Sequence, residues 1–337
     1  MTGDHRPDGS RPGGRPAEEG RGGRPRPGAP ADHPGDVGSA ADHRTTVVVI
    51  TRNRRPELLR TLRSLRELPE RPRVIVTDNA STDGTAEAVA RDFPEMTLLQ
   101  PGENLGSIGR NLAVEQASTP YVAFCDDDTR WEPGSLQRAA DLLDAHPSLA
   151  AVTARILVEP DDREDPVVGE LRDSPLPRPD WLPGPALGSF LAAATVLRTD
   201  AFRSSGGFHP GLWLGGEEEL LATDLLRQGW WLCYVPEMTI HHAVSEVRDS
   251  TARRVVGLRN TLWFTWLRRP ALPAVRRTWY LLRTVPRDTA SLRAFLQAAA
   301  GIPWVLKTRD PVPGWLEERL ARLEEAQRAS TARRYVG

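Results

Sequence analysis

The chain reads as an α/β protein: a mostly parallel sheet with helices on both faces, followed by a helical C-terminal region. Two observations carry this reading. Short apolar runs, Thr46-Val-Val-Val-Ile50, Val74-Ile-Val76 and Tyr121-Val-Ala-Phe-Cys125, alternate with segments of helical periodicity. Continuous apolar runs suit strands covered on both faces, and strands separated by helices form parallel sheets. Beyond residue 258 the strand pattern stops, and Trp, Leu and Arg recur on helix-length segments.

Residues 1–43 are Gly, Pro, Arg, Asp and Ala with almost no aliphatic content. Such a segment buries too little apolar surface to offset its ordering entropy, so a disordered head is expected. The α/β domain is expected over 44–257 and the basic helical region over 258–337. The first strand is Thr46–Ile50. Pro56 then suits a first helical turn, and Leu58, Leu59, Leu62, Leu65 and Leu68 share a helix face. A second strand, Val74–Thr77, ends at Asp78; Ala80–Gly84 is turn chemistry, and Thr85 is expected to cap a helix reaching about Phe93. A third strand over Thr97–Gln100, a helix over Ile108–Gln116 and a fourth strand over Tyr121–Cys125 follow. The second half predicts a helix at 133–146, a strand at 150–158, a long Pro- and Asp-rich loop at 159–187 and a strand at 190–198. A short helix at 199–205, a helix at 217–228 and a strand at 230–235 complete the domain.

Of the 337 residues, 39% are hydrophobic, and the net charge of -1 names no partner by global attraction. The two cysteines, Cys125 and Cys233, sit in strand-like runs without a second Cys or a His at ligand spacing. They read as buried thiols in a reducing, cytoplasmic compartment. The N-terminus lacks the apolar core of a secretory signal, and no run approaches the roughly 18 apolar residues of a membrane span, so a soluble or peripheral protein is expected. Lys307 is the sole lysine and no G-x-x-x-x-G-K-[ST] loop exists, which excludes a P-loop NTPase. No G-x-G-x-x-G follows the first strand either. Residues 258–310 carry nine Arg and one Lys against two Asp, a net of +8, and five of the ten Trp lie beyond residue 260. Basic residues interleaved with Trp and Leu suit an anionic membrane interface; a helical cap with a solvated Arg face is the competing reading. No nucleic-acid reader motif accompanies the basic region, so no nucleic-acid partner is expected.

The chemistry concentrates where strands end. Asp126-Asp127-Asp128 follows the fourth strand directly. Adjacent carboxylates repel, and desolvation raises the cost, so a cation is the natural neutraliser. Hard oxygen ligands suit Mg²⁺ or Mn²⁺ shared with substrate phosphates. In open α/β sheets ligands bind beyond the carboxyl ends of the strands. Thr51-Arg52-Asn53 and Asp78-Asn79 end the first two strands on that same edge. Asn104-Leu-Gly106-Ser-Ile-Gly109-Arg110-Asn111 adds a Gly-bearing loop and an Arg at a helix start, where anions are favoured. Gly215-Gly216-Glu217-Glu218-Glu219 offers carboxylates that fit a first helical turn and also a general base. His241-His242 ends a strand, where a neutral imidazole completes a metal site or serves structure.

In order and spacing these segments resemble glycosyltransferase family 2 from about Thr45 to His242. The resemblance implies a GT-A (Rossmann-like) fold and inverting transfer of sugar from a nucleotide-diphosphate sugar to an acceptor hydroxyl, aided by a divalent cation. Carried over residue by residue, Thr51 and Asn53 line the nucleotide pocket, Asp78 meets the base and Arg110 lies beside it. Asp126, Asp127 and Asp128 match the D-x-D region: Asp127 faces the ribose or sugar, and Asp128 binds the metal. Glu217 and Glu218 align with the family's Glu-Asp pair, which leaves the base open among Glu217, Glu218 and Glu219. His242, or His241, is an expected metal ligand. The family's usual next Asp is Leu220 here and its usual downstream Arg is Asp224, so acceptor contacts differ. The sequence does not name the acceptor: if the basic Trp-rich region lies on a membrane, a lipid-linked acceptor and a cytoplasmic enzyme peripheral at the inner face are expected, and if that region is a structural cap, a soluble acceptor is. Two rivals stand beside this reading: a sugar-phosphate nucleotidyltransferase, disfavoured by the absence of a lysine near Thr-Arg-Asn-Arg-Arg, and a catalytically silent, membrane-associated partner protein.

Overall fold

A computed structural model describes residues 41–243 and 250–329. The head expected over 1–43 lies outside the described residues except for its last three. In chain order the first half contains β1 (Thr45–Thr51), α1 (Arg55–Glu67), β2 (Arg73–Asp78), α2 (Thr85–Asp92), β3 (Thr97–Leu99), α3 (Gly109–Gln116), β4 (Tyr121–Asp126) and β5 (Thr129–Trp131). Next come α4 (Ser135–Ala145), β6 (Leu149–Val158), β7 (Arg163–Glu164), α5 (Val167–Arg172), β8 (Thr195–Arg198), α6 (Thr199–Ser204), α7 (Glu217–Arg227) and β9 (Trp231–His242). The C-terminal helices are α8 (Ser250–Arg268), α9 (Ala271–Thr284), α10 (Thr289–Ala300), α11 (Ile302–Thr308) and α12 (Gly314–Ala329).

The sheet runs β3-β2-β1-β4-β8-β6-β9-β5, with β7 beside β6. β3, β2, β1 and β4 are mutually parallel, as are β6 and β9, whereas β8 is antiparallel to both its neighbours and β5 to β9. The apolar run of β1 is explained by this order: Val47, Val48 and Val49 lie in an interior strand and are fully buried. Leu58, Leu62 and Leu65 of α1 pack into the same core. Parallel register aligns the strand ends, with Thr51 opposite Asp78 and Ile50 opposite Asp126. Three polar junctions therefore lie side by side at one edge of the sheet.

Several local expectations differ from the structure. Thr85 opens α2 but does not cap it; its N–H and hydroxyl both donate to Asp83 Oδ1. The strand expected over 190–198 is half as long, because residues 192–194 form a 3₁₀ turn. The 159–187 loop contains β7 and α5. β9 extends seven residues beyond Val235 to His242. The compositional boundary at residue 258 falls inside α8, whose Phe264 and Leu267 join the main core.

α8 is fastened to the α/β layer by polar as well as apolar groups. Arg268 forms a two-pronged pair with Asp224 of α7, at 2.6 and 2.8 Å. Buried Arg269 pairs with Glu317 and Glu324 of α12. Asp224, the departure noted in the sequence, thus serves as an anchor for α8.

Candidate active site

The acidic turn is built by pairing on both sides. β4 delivers Asp126, the chain turns, and β5 leaves antiparallel to the end of β9, with Thr129 opposite His242 and Arg130 opposite His241. The Ala243 N–H closes the junction by donating to the Asp128 carbonyl at 2.9 Å. Successive strand residues face opposite ways, so only one histidine can meet the acidic turn. It is His242, whose Nε2 lies 3.7 Å from Asp128 Oδ1. His241 points elsewhere, with Nδ1 2.9 Å from Asp162 Oδ1 and Nε2 3.6 Å from Glu132.

Each aspartate has a different environment. Asp126 is the most exposed, and its Oδ1 lies 2.5 Å from the buried guanidinium of Arg110. Asp127 accepts from the Thr51 hydroxyl at 2.9 Å and from Arg54 Nη1 at 2.6 Å. Burial pushes its carboxyl up to about 7, against the opposing charge of Arg54. Asp128 is also buried, which alone would raise it. The imidazole of His242 and the guanidinium of Arg54, whose Nη2 lies 3.0 Å from Oδ2, instead hold it at about 2. Arg54 therefore bridges two adjacent carboxylates. Its role went unread in the sequence, where it was one of three arginines after β1.

The remaining residues expected on the nucleotide side take supporting positions. Asn53, in a left-handed conformation (φ 52°), accepts from the Thr82 N–H at 2.7 Å and so ties the β1 junction to the turn after β2. Asp78 is buried and accepts from the Ser81 N–H at 3.0 Å. Asn79 donates to the Gly106 carbonyl at 3.0 Å, bringing the Gly-bearing loop beside β2. Trp213 is a second residue the sequence did not flag. It has φ 56°, which is costly for a bulky side chain; its carbonyl accepts from the Ser107 N–H and its indole donates to the Asn104 carbonyl.

The acidic start of α7 resolves into three different carboxylates. Gly215 and Gly216 both have positive φ, at 83° and 85°, a turn that only glycine adopts without strain. The turn is held by Asn260 of α8, fully buried, whose amide donates to the carbonyls of Leu212, Leu214 and Gly215 at 2.7, 3.0 and 2.5 Å. Glu217 is buried, and among the described residues its Oε2 has no hydrogen-bond partner; burial raises its carboxyl, opposed by the charge of Arg110. Glu218 accepts from the Ala192 N–H at 2.6 Å. Burial and then the neighbouring Glu217 push it up to about 7, and the charges of Arg110 and Asp126 also reach it. Glu219 diverges: it lies 3.9 Å from Arg277 and lines a separate cavity of about 470 Å³ with Gly188, Ser189 and Glu324. The site thus brings together Thr51, Arg54, Arg110, Asp126, Asp127, Asp128 and His242, with Glu217 and Glu218 electrostatically linked through Arg110 and Asp126.

The donor set can be tested against a divalent cation. A carboxylate and an imidazole face one another at Asp128 and His242, a mixed oxygen–nitrogen pair compatible with Mn²⁺ and, less readily, Mg²⁺. Among the described residues no group of three or more His, Cys, Asp or Glu forms an all-protein cage. Few protein ligands is the usual pattern where substrate phosphates complete the coordination. The residues therefore fit a shared cation.

The sheet order, the acidic turn after β4 and the carboxylates opening α7 match the arrangement expected of a GT-A fold. Comparison with known proteins agrees. The profile "Glycosyl transferase family 2" matches residues 46–202, just under half of the chain, and supports a family 2 glycosyltransferase. The chain is 28% identical over 305 residues to N-acetylglucosaminyl-diphospho-decaprenol L-rhamnosyltransferase of Mycobacterium tuberculosis, covering 76% of this chain and 93% of that protein. It is 30% identical over 238 residues to pre-mycofactocin glycosyltransferase of the same organism, covering 66% and 47% respectively. Among solved structures, a mannosyltransferase from Pyrobaculum calidifontis in complex with GDP-Man and Mn²⁺ matches with TM-score 0.53 and 23% identity, over 86% of this chain and 76% of that one. GalNAc-T7 with UDP, GalNAc and Mn²⁺ matches with TM-score 0.60 and 13% identity, over 87% and 59%. These two likenesses establish the fold. The family match disfavours the nucleotidyltransferase reading, and donor turnover separates an active enzyme from a silent relative of the same fold.

Proposed function

We propose that the protein transfers a sugar from a nucleotide-diphosphate sugar to an acceptor hydroxyl with inversion, using a divalent cation held by Asp128 and His242. The carrying observation is the pairing of two chemistries: an acidic turn with a facing imidazole, and a carboxylate at Glu218, raised to about 7, that feels the charges of Arg110 and Asp126. When bound, the cation neutralises charge developing on the departing diphosphate. Thr51, Asn53 and Asp78 form the nucleotide side of the site; Arg110 and Arg54 position Asp126, Asp127 and Asp128 and offset their repulsion. Glu218 takes the acceptor proton at a carboxylate oxygen as the hydroxyl attacks in line. Glu217, adjacent and buried, raises the basicity of Glu218. Glu219, which lies 3.9 Å from Arg277, serves that contact and not as base in this reading.

The acceptor proposed is a lipid-diphosphate-linked saccharide, the class named for the M. tuberculosis rhamnosyltransferase, which the chain matches over nearly that protein's whole length. Such an acceptor places the enzyme peripherally at the inner face of a membrane; no described helix is long and apolar enough to cross one. The 44–257 and 258–337 segments would then divide the work, the first binding donor and the second addressing the acceptor. The test is transfer from a panel of nucleotide sugars to polyprenyl-diphosphate N-acetylglucosamine, with the product anomer read by NMR. A product with the donor's own anomeric configuration would contradict inversion. Turnover only with soluble sugars would contradict the lipid-linked acceptor.

A further inference from the structure

In a protein surrounded only by water, a helix lying on the surface turns its polar stripe outward. α9 does the reverse. Its exposed residues include Leu272, Val275, Trp279 and Leu282, each between 47% and 59% exposed, at successive helical-turn spacings on one face. Arg276 and Arg283 are exposed along the border of that stripe. The opposite face carries buried Ala274, and Arg277 turned to Glu219 and Glu324. α10 repeats the pattern: Ala290 and Ala294 pack on Val255 of α8, while Leu292 and Leu296 are 60% and 63% exposed and Arg293 is exposed beside them. α11 adds Ile302 and Leu306, at 48% and 56%, with exposed Lys307.

We propose that the outward faces of α9, α10 and α11 form a docking surface for a bilayer with anionic headgroups. The occupant follows from the charge around the apolar stripes. Residues 271–307 carry five Arg and one Lys against a single acid, Asp288, which is already paired with Arg254. Trp and Leu bury at the headgroup–acyl boundary, while Arg and Lys at the edges meet lipid phosphates. A protein partner would need a matching acidic-rimmed apolar groove; a lipid surface supplies both properties without shape matching. Exposed apolar residues on this scale also form an interaction patch rather than scattered surface leucines.

The placement relates the surface to the site. α8 holds the Gly215–Gly216 turn through Asn260, and the same helix carries α9 through a Trp266–Thr278 hydrogen bond of 3.1 Å. It carries α10 through Val255 and the Arg254–Asp288 pair. A bilayer seated on α9–α11 is thus coupled through one rigid helix to the loop that sets Glu217 and Glu218. This inference rests on the lipid-linked acceptor proposed above only for its purpose; the surface itself is argued from exposure and charge.

The test is flotation of the full chain with vesicles of phosphatidylglycerol and phosphatidylcholine, mixed or phosphatidylcholine alone. Binding to the anionic vesicles is expected at low salt, falling as salt screens the headgroups. Trp279→Gln with Leu282→Gln, and separately Leu292→Gln with Leu296→Gln, should each weaken binding by about tenfold or more. Arg276→Gln and Arg283→Gln should each weaken it by about fivefold at low salt. All replace exposed side chains, so melting temperature and donor-nucleotide binding should stay unchanged. Those two readouts separate a failure here from a failure of the glycosyltransferase reading. No flotation of the wild-type chain with anionic vesicles would overturn the proposal. So would variants that float normally, or sedimentation showing a lipid-free dimer that the same substitutions dissolve, which would assign the faces to a second copy of the chain.

Discussion

Glu218→Gln should inactivate the enzyme and stabilise it at the same time. Burial, then Glu217, raise the Glu218 carboxyl from an ordinary 4.5 to about 7. The folded protein therefore holds a proton that the unfolded chain has already lost between those values. Stability falls as pH rises through that window and the full cost persists above pH 7. At 1.36 kcal/mol per unit the charged form costs roughly 3 kcal/mol at pH 8. Glutamine keeps the acceptor oxygen for the Ala192 N–H, 2.6 Å away, and carries no charge. The ligand-free variant should melt higher than wild type by roughly 5 °C at pH 8, and the gap should close by pH 4. Transfer should drop by ~100-fold or more with donor affinity nearly intact, and the rise of wild-type activity through pH 7 should flatten in the variant. The assays are thermal melts across pH and steady-state transfer on the same preparations. A variant that melts lower than wild type at every pH would refute the buried-charge argument. Equal loss of donor affinity and turnover would make Glu218 a binding residue, and a selective loss in Glu217→Gln instead would move the base by one position.

Three further outcomes follow from the geometry. His242→Ala should raise the Mn²⁺ concentration needed for half-maximal activity by ~10-fold or more, whereas His241→Ala should not, because only His242 faces Asp128; equal effects would undo the alternation argument. Asn260→Ala leaves the Leu212, Leu214 and Gly215 carbonyls without their shared donor and should lower kcat more than donor affinity, with a stability loss of about 2 kcal/mol read by urea unfolding. Asp224→Ala strands the Arg268 guanidinium and should cost about 3 kcal/mol in the same assay, while donor binding persists.

Much of this site was legible because strand ends are written in local sequence. The runs of β1, β2 and β4 announce themselves by composition, and the polar residues that stop them fall on one edge whenever the strands are parallel. The choice of His242 over His241 was not legible, since it depends on the register of β5 against β9, a pairing of residues more than a hundred positions apart. Arg54 and Asn260 were hidden for the same reason. Their partners, Asp127, Asp128 and the 212–215 carbonyls, are distant in sequence, and neither residue type is unusual at its own position. Asp224 looked like a lost functional residue until Arg268 appeared opposite it. The exposed stripe of α9 shows a helical period that sequence alone reads equally well as a core face; only packing tells which side is buried.

The most direct test of the account is release of nucleoside diphosphate from the productive donor, measured with added Mn²⁺, with chelator, and in Asp128→Asn. Turnover should be abolished by chelation and restored by Mn²⁺, and Asp128→Asn should lower it by ~100-fold or more. Full turnover in chelator, or an Asp128→Asn enzyme that works at the wild-type rate and still needs Mn²⁺, would contradict that expectation.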